Sequence, residues 1–167
     1  SFPRTVGQVP IFYNHKNTGR PEGFYESVFI TKYLDSPNQP LFPFGYGLSY
    51  TTFEYSEIQM EDKQLTRDGK LNVSVKVKNT GKYKGTETVQ LYIRDLVASV
   101  TRPVKELKSF RKVELKPGEE KKVEFVITEK DLRFWNDKKQ FISEPGKFHL
   151  FIGTDSENVK KAEFVLL

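Results

Sequence analysis

The chain has 167 residues, which is enough for one domain with an appendage and too few for a complete (β/α)₈ barrel of about 250 residues. Hydrophobic residues make up 37% and charged residues 29%, and no stretch approaches the roughly 18 consecutive apolar residues of a membrane helix. The net charge of +5 is spread along the chain, so we expect no nucleic-acid and no membrane partner. The absence of cysteine excludes disulfide frameworks, thiolate metal sites and cysteine nucleophiles.

The first predicted element is a short apolar run at residues 6–13, Val-Gly-Gln-Val-Pro-Ile-Phe-Tyr. A run of this kind between turn residues predicts a strand buried on both faces of a parallel sheet. Nothing else in the chain alternates strand and helix in the way that would supply neighbouring strands. We therefore expect an orphan strand, which either pairs with a second copy of the chain or lies on the edge of the following domain.

Turn signals dominate residues 14–43, which predict an extended linker. The linker ends in aromatic residues that alternate with Gly45 and Gly47, and glycine lets the backbone pass close to a packed surface. We expect these rings to attach the linker to the following domain, with Phe44, Tyr46 and Tyr50 largely buried. An exposed carbohydrate-binding platform is the alternative interpretation. The rings are Phe42, Phe44, Tyr46, Tyr50 and Phe53.

From residue 53 onward, apolar and polar residues alternate with a period of two, which is typical of half-buried antiparallel strands. The clearest strand is 71–78, and less regular strands are expected at 53–60 and 107–115. Thr128 is expected to cap a single helical turn. The predicted inward positions are Leu71, Val73, Val75 and Val77, then Val89, Leu91 and Ile93, then Val123, Phe125 and Ile127, then Phe148, Leu150 and Ile152, and finally Ala162, Phe164 and Leu166.

About seven short strands separated by turns predict an all-β fold, namely an immunoglobulin-like (fibronectin type III-like) antiparallel sandwich. The absence of a cysteine pair argues against an antibody-type domain. We assign residues 1–52 to the linker and residues 53–167 to the sandwich. The start Ser-Phe-Pro-Arg suggests a piece of a longer parent.

Several motifs resemble a known family. The string Pro-Phe-Gly-Tyr-Gly-Leu-Ser-Tyr-Thr-Thr-Phe at 43–53, together with residues 6–21, closely resembles the C-terminal part of bacterial β-glucosidases of glycoside hydrolase family three. Residues 77–81, 85–92, 102–110 and 115–119 look like the fibronectin type III-like domain that ends those enzymes. The resemblance covers essentially the whole chain.

The resemblance implies a parent that cleaves terminal β-linked sugars with retention, as a β-glucosidase or a β-xylosidase. Residues 1–52 would then contain the remnant of an α/β domain, and the chain would pack on the α/β and barrel domains of its own parent. The parent's Asp nucleophile and Glu acid/base would precede residue 1, and a periplasmic or secreted location is expected. We expect no catalytic residue, metal or cofactor in this chain. The alternatives are an autonomous carbohydrate-binding module and a protein-interaction or dimerisation domain, and truncation could itself cause homo-oligomers.

A retaining glycosidase needs two carboxyl groups about 5 to 5.5 Å apart. The acids of this chain are expected in turns or on the polar phase of exposed strands, as for Glu87, Glu124 and Glu163. Asp131 and Asp137 flank Trp135, where a cap and a hairpin turn explain them without catalysis. The pattern therefore indicates ionised surface carboxylates.

The chain has two histidines, His15 and His149, which excludes a histidine-rich metal site. His149 lies on the polar phase of its strand and is expected to be exposed. His15 follows the orphan strand, at the edge where open α/β sheets bind ligands. We therefore name His15 and Arg20 as candidate substrate-binding residues, acting in the intact parent alone.

Overall fold

The computed structural model describes residues 1–17 and 31–167. No helix in these two ranges has the length and apolarity to cross a membrane. Short 3₁₀ helices occupy Val6–Gln8 and Glu129–Leu132. The strands are β1 (Phe53–Tyr55), β2 (Gln59–Met60), β3 (Gln64–Leu65), β4 (Lys70–Asn79), β5 (Gly85–Asp95), β6 (Glu106–Leu115), β7 (Glu120–Thr128), β8 (Phe134–Trp135), β9 (Phe141–Ile142), β10 (Gly146–Gly153) and β11 (Val159–Leu166).

Two sheets form the sandwich, and the all-β prediction is confirmed. In one sheet, β4 pairs antiparallel with β1 and β2 on one side and with β7 on the other. The second sheet has the order β3-β11-β10-β5-β6, in which only the pairing of β3 with β11 is parallel. Strands β8 and β9 form a separate hairpin.

The core lies between the sheets, where the predicted inward positions meet. Leu71, Val73, Val75 and Val77 of β4 are at most 2% exposed. They belong to one apolar cluster with the inward residues of β5, β7, β10 and β11. Complete burial of each such side chain contributes about 1.5 to 3 kcal/mol, so the inward positions stabilise the contact between the two sheets.

The predicted orphan strand at residues 6–13 is wrong. Residues Val6–Gln8 form a 3₁₀ helix, the rest of the run is irregular, and Val6 is 90% exposed. A strand needs neighbours for its backbone groups, and Gln8 provides a local alternative. Its side chain, 1% exposed, accepts from the Arg4 amide at 2.6 Å and donates to the Pro37 carbonyl at 2.7 Å.

Thr128 is the N-cap residue of the second 3₁₀ helix, as predicted, and it is the donor in the hydrogen bonds that hold this turn. The Asp131 carboxylate accepts hydrogen bonds from the Thr128 amide at 2.7 Å and from its hydroxyl at 2.8 Å. The pair fixes the turn that leads from β7 into the β8–β9 hairpin.

Candidate functional site

The first contact between the N-terminal segment, residues 1–52, and the sandwich is a set of three rings. The rings of Tyr13 and Phe44 stack with centroids 4.2 Å apart, and Tyr13 meets the ring of Tyr92 edge-on at 5.8 Å. Tyr92 lies on β5 and is fully buried. The Tyr13 hydroxyl accepts from the Leu107 amide at 3.3 Å, so the segment covers the start of edge strand β6.

Gln90 of β5 joins the segment to two parts of the sandwich. Its amide nitrogen donates to the Gly45 carbonyl at 3.1 Å and also to the Thr154 carbonyl, while its amide oxygen accepts from the Tyr92 hydroxyl at 2.6 Å. Burial raises the pKa of that hydroxyl, and the neighbouring Tyr13 raises it further, so it stays a donor. Gly45 has φ +83°, and a Cβ there would lie 2.1 Å from the Gln90 side-chain oxygen. The contact therefore requires glycine at this position.

The loop between β10 and β11 receives the segment at Phe44. The Phe44 carbonyl accepts from the Ser156 amide at 2.9 Å. The buried Asp155 carboxylate holds this loop by accepting from the backbone amides of Glu157 and Asn158, both at 2.8 Å. Lys105 donates to the Ser156 carbonyl, and burial lowers the pKa of its ammonium group. The loop is thus held by hydrogen bonds from within the sandwich as well as by the segment.

The segment enters the sandwich at Thr51. The Thr51 hydroxyl donates to the side-chain oxygen of Asn79 at 2.6 Å, and Asn79 is fully buried. The Asn79 amide nitrogen in turn donates to the carbonyls of Tyr83 and Leu115. A Cβ on Gly85 would lie 2.6 Å from a Thr51 methyl carbon, so glycine is needed for this entry. Residue 51 is therefore fixed to two strand ends of the sandwich.

Comparison with known proteins identifies the architecture. Residues 87–156 match the family model of the fibronectin type III-like domain. The periplasmic β-glucosidase of Salmonella typhimurium is 51% identical over 100% of this chain and 22% of its own length. A β-glucosidase structure from Listeria innocua, in complex with gluconolactone, superposes with a TM-score of 0.91 at 43% identity over 99% of this chain and 23% of that one.

The chain carries a fibronectin type III-like domain. It spans about a fifth of the length of the relatives it matches. A further relative, a putative β-xylosidase of Formosa agariphila, is 45% identical over 98% of this chain and 20% of its own length. The resemblance stated from the sequence is confirmed. In the relatives this domain is part of a longer chain.

The aromatic cluster of the fibronectin type III-like chain divides into two groups. Phe44 and Phe53 are half-buried, and Phe53 packs against the core. Burial of Tyr46 and Tyr50 was expected and is wrong, because they are 45% and 97% exposed. Tyr46 packs instead on Phe42, with ring centroids 4.9 Å apart. The two glycines differ in the same way. Gly45 lies against Gln90, whereas a Cβ on Gly47 would meet no atom of the described residues within 4 Å.

Of the two candidate substrate residues, His15 lies within the described residues. His15 is exposed, its ring Nδ1 lies 3.0 Å from the Lys16 carbonyl oxygen, and its own carbonyl accepts from the Val104 amide at 2.9 Å. Arg20 lies outside the described residues. Within residues 1–17 and 31–167, no group of three His, Cys, Asp or Glu side chains is placed to hold a metal ion.

Glu87 of the fibronectin type III-like domain is not the surface acid that was expected. It is 7% exposed, and its carboxylate accepts from the Tyr55 hydroxyl at 2.7 Å. Burial and the nearby Glu87 charge raise the pKa of that hydroxyl. The signal was available in the sequence, because Glu87 has the same phase as Val89 and Leu91 and so points between the sheets. Glu124 and Glu163 are exposed, as expected.

A cavity of about 460 Å³ adjoins the Tyr55–Glu87 pair. Among the described residues that line it, Glu87 is the one acid, whereas a retaining glycosidase needs two carboxyl groups. Tyr55 lies on β1 and Glu87 on β5, so the hydrogen bond links the two sheets. We assign this pair a structural role.

His149 is also less exposed than expected. Its ring Nε2 lies 3.0 Å from the Glu163 carboxylate on β11, and its side chain is 15% exposed. Burial lowers the pKa of the His149 ring, and the nearby Lys161 lowers it further. The low exposure of His149 follows from the register of β10 and β11, in which His149 and Glu163 are cross-strand partners.

Another buried acid lies at the end of β5. Asp95 is 8% exposed; its Oδ1 accepts from the Val97 amide at 3.2 Å, and its Oδ2 has no hydrogen-bond partner in the part of the chain that the structure describes. Burial raises the pKa of Asp95 to about 6. The Val97 amide and the Arg102 charge oppose this rise, whereas Glu144 and Glu106 add to it.

Proposed function

We propose that the chain is the non-catalytic C-terminal structural region of a β-glucosidase-type glycoside hydrolase that acts on terminal β-linked sugars. Its function is to brace the rest of the enzyme through the N-terminal segment. The β-glucosidase relatives support this assignment, and the β-xylosidase relative leaves xylosides as the alternative substrate class. The periplasmic relative favours a periplasmic or secreted enzyme.

The observation that carries the proposal is the mixed character of the N-terminal segment. Some of its residues are tied to the sandwich through Gln90, Ser156 and Asn79. Many others expose large apolar side chains, an arrangement that marks an interaction surface. These exposed residues are Phe2, Val6, Val9, Phe12, Leu34, Leu41, Phe42, Tyr46, Leu48 and Tyr50.

We propose that the α/β and barrel domains of the same enzyme cover this apolar surface. Residues 1–52 then belong to the end of the α/β domain and its linker, and the sandwich proper begins at residue 53. In the isolated chain the uncovered surface would drive homo-oligomer formation as a consequence of truncation. His15 and Arg20 are proposed to contact substrate only in the longer enzyme, and neither a nucleic acid nor a membrane is among the proposed partners.

The bracing role is tested by Gln90→Ala in the enzyme of which the chain is a part. The change removes the hydrogen bond to Gly45 and leaves the buried Tyr92 hydroxyl without its acceptor. We expect the temperature of half-inactivation to fall by several degrees while kcat and KM at 25 °C stay unchanged. The isolated 167-residue chain should not hydrolyse an aryl β-glucoside.

Gln59→Ala on β2 is the matched control, because this glutamine side chain is exposed. It should leave the inactivation temperature unchanged. The proposal fails if Gln90→Ala and Gln59→Ala behave alike. It also fails if the isolated chain turns over substrate and an acid substitution within it abolishes that activity.

A further inference from the structure

The β8–β9 hairpin holds two large aromatic rings in solvent. Trp135 and Phe141 are direct cross-strand partners and are 66% and 49% exposed. Their ring centroids lie 5.3 Å apart with an interplanar angle of 41°. Neighbouring strand residues point the other way, since Phe134 is 3% exposed. The hairpin therefore presents one apolar pair outward, away from the core that its other face completes.

The hairpin tip is closed by its own hydrogen bonds. The Gln140 amide donates to the Asn136 side-chain oxygen at 2.9 Å, and the Asn136 amide donates to the Gln140 carbonyl at 3.0 Å. Lys139 takes the left-handed conformation, φ 58°, that this tight connection needs. Because these bonds link both ends of the turn, the positions of the two rings are set by the backbone.

The base of the hairpin is anchored on both strands. The Arg102 guanidinium lies 4.5 Å from the centre of the Phe134 ring. After β9, the buried Ser143 hydroxyl donates to Glu129 at 2.6 Å, and Arg133 donates to both oxygens of the same carboxylate. The hydrogen bonds from Arg133 and Ser143 lower the pKa of Glu129 and keep it charged. These contacts hold the hairpin in place, although its two exposed rings, Trp135 and Phe141, contribute little to the core.

We propose that Trp135 and Phe141 form a carbohydrate-binding platform for a β-linked oligosaccharide. The C–H face of a pyranose ring is apolar and stacks on an aromatic ring, whereas its hydroxyl groups need polar partners at the rim. Asn136, Asp137 and Gln140 are the sequence neighbours of the two rings. The Asn136 and Gln140 side chains bond each other at 3.3 Å, which leaves the exposed Asp137 carboxylate and the remaining amide groups of the exposed Gln140 to meet sugar hydroxyls. The inference that the glycan is β-linked rests on the proposed function, whereas the inference that a sugar stacks on the two rings does not.

A nucleic acid is the other ligand that stacks on exposed rings, and it needs a basic groove along its backbone. Here Lys138 and Lys139 are accompanied by Asp137, and the chain's charges are mixed along its length. A neutral sugar requires no such groove. The observations therefore favour carbohydrate.

Trp135 is the only tryptophan of the chain, so its intrinsic fluorescence reports on this site alone. The 167-residue chain would be titrated with cello-, laminari- and xylo-oligosaccharides. We expect a saturable change in emission with at least one of them and a Kd on the order of millimolar, as for a small open platform. Phe141→Ala keeps the fluorophore and should weaken binding at least about fivefold, with the melting temperature measured in parallel.

Phe110→Ala is the matched control, because Phe110 is another exposed ring, 55% accessible, on β6. It should bind as the unmodified chain does. Trp135→Ala, followed by calorimetry, should abolish binding without loss of folding. The proposal is overturned if no glycan changes the emission, if Phe110→Ala and Phe141→Ala bind equally, or if a single-stranded oligodeoxynucleotide binds more tightly than every glycan. None of these outcomes alters the bracing role, which the inactivation temperature tests separately.

Discussion

The N-terminal segment and the sandwich use apolar side chains in opposite ways. In the sandwich, Val77, Leu91 and Leu150 are at most 1% exposed, and strands of both large sheets contribute to one core. In the segment, Leu34, Leu48 and Tyr50 are at least 90% exposed although they are equally apolar or aromatic. The difference teaches that the sandwich buries its apolar side chains between its own two sheets, whereas the described part of the segment leaves many of its own exposed.

The largest expected effect is on the free energy of unfolding. It is tested by a matched pair of substitutions, one in the sandwich and one in the segment. Phe164→Ala removes a ring that is 1% exposed and stacks on Phe148 with centroids 5.3 Å apart. We expect it to cost about 3 to 5 kcal/mol in the free energy of unfolding, measured by urea denaturation. Tyr50→Ala removes a ring that is 97% exposed and should cost less than about 0.5 kcal/mol. Equal losses would show that the segment is packed as tightly as the core.

The sandwich could be predicted from the sequence because its core is internal. The alternation through Val73, Val75 and Val77 placed each side chain correctly. A period of two specifies both the strand and the buried face. The error at Glu87 came from reading the charge before the phase, since its position in the strand alone predicts that it points inward.

The segment could not be predicted in the same way, because many of its apolar residues are exposed and follow no period that marks a buried face. The run at 6–13 has a strand-like composition, but no strand forms without neighbours to pair with. Gln8, Gly45 and Gln90 fix the segment through individual hydrogen bonds that follow no sequence period. Pattern analysis therefore could not predict the attachment site, although Phe44 was expected to pack there.

The next largest expected effect on stability comes from substituting the buried Asp95 of the sandwich. The folded-state pKa of Asp95 is about 6, above its ordinary value of 3.8, so folding favours the protonated acid. The stability contribution of this proton is complete below about pH 4 and is lost as the pH rises through 6. Asp95→Asn should therefore raise the stability by about 1 to 3 kcal/mol at pH 7 and by little at pH 4.

The measurement is thermal unfolding of Asp95→Asn and the unmodified chain from pH 4 to pH 8. The asparagine can keep the bond from the Val97 amide, because its side-chain oxygen replaces Oδ1. Asp68→Asn, in the exposed turn before β4, controls for the loss of one surface charge. If Asp95→Asn is less stable than the unmodified chain at pH 7, the attraction of Arg102 outweighs the cost of burial.

The smallest expected effect is that of removing most of the segment. Deleting residues 1–38 takes away the Tyr13 ring and the Gln8 hydrogen bonds, but it keeps Phe44, Gly45 and the Thr51 entry point. We expect a folded sandwich that has lost less than about 1 kcal/mol, a shift of about 2 to 4 °C or less in the melting temperature. Sedimentation should also show weaker self-association, because exposed apolar residues such as Leu34 are gone. If the deletion unfolds the sandwich, the segment is integral to it and the boundary proposed at residue 53 is wrong.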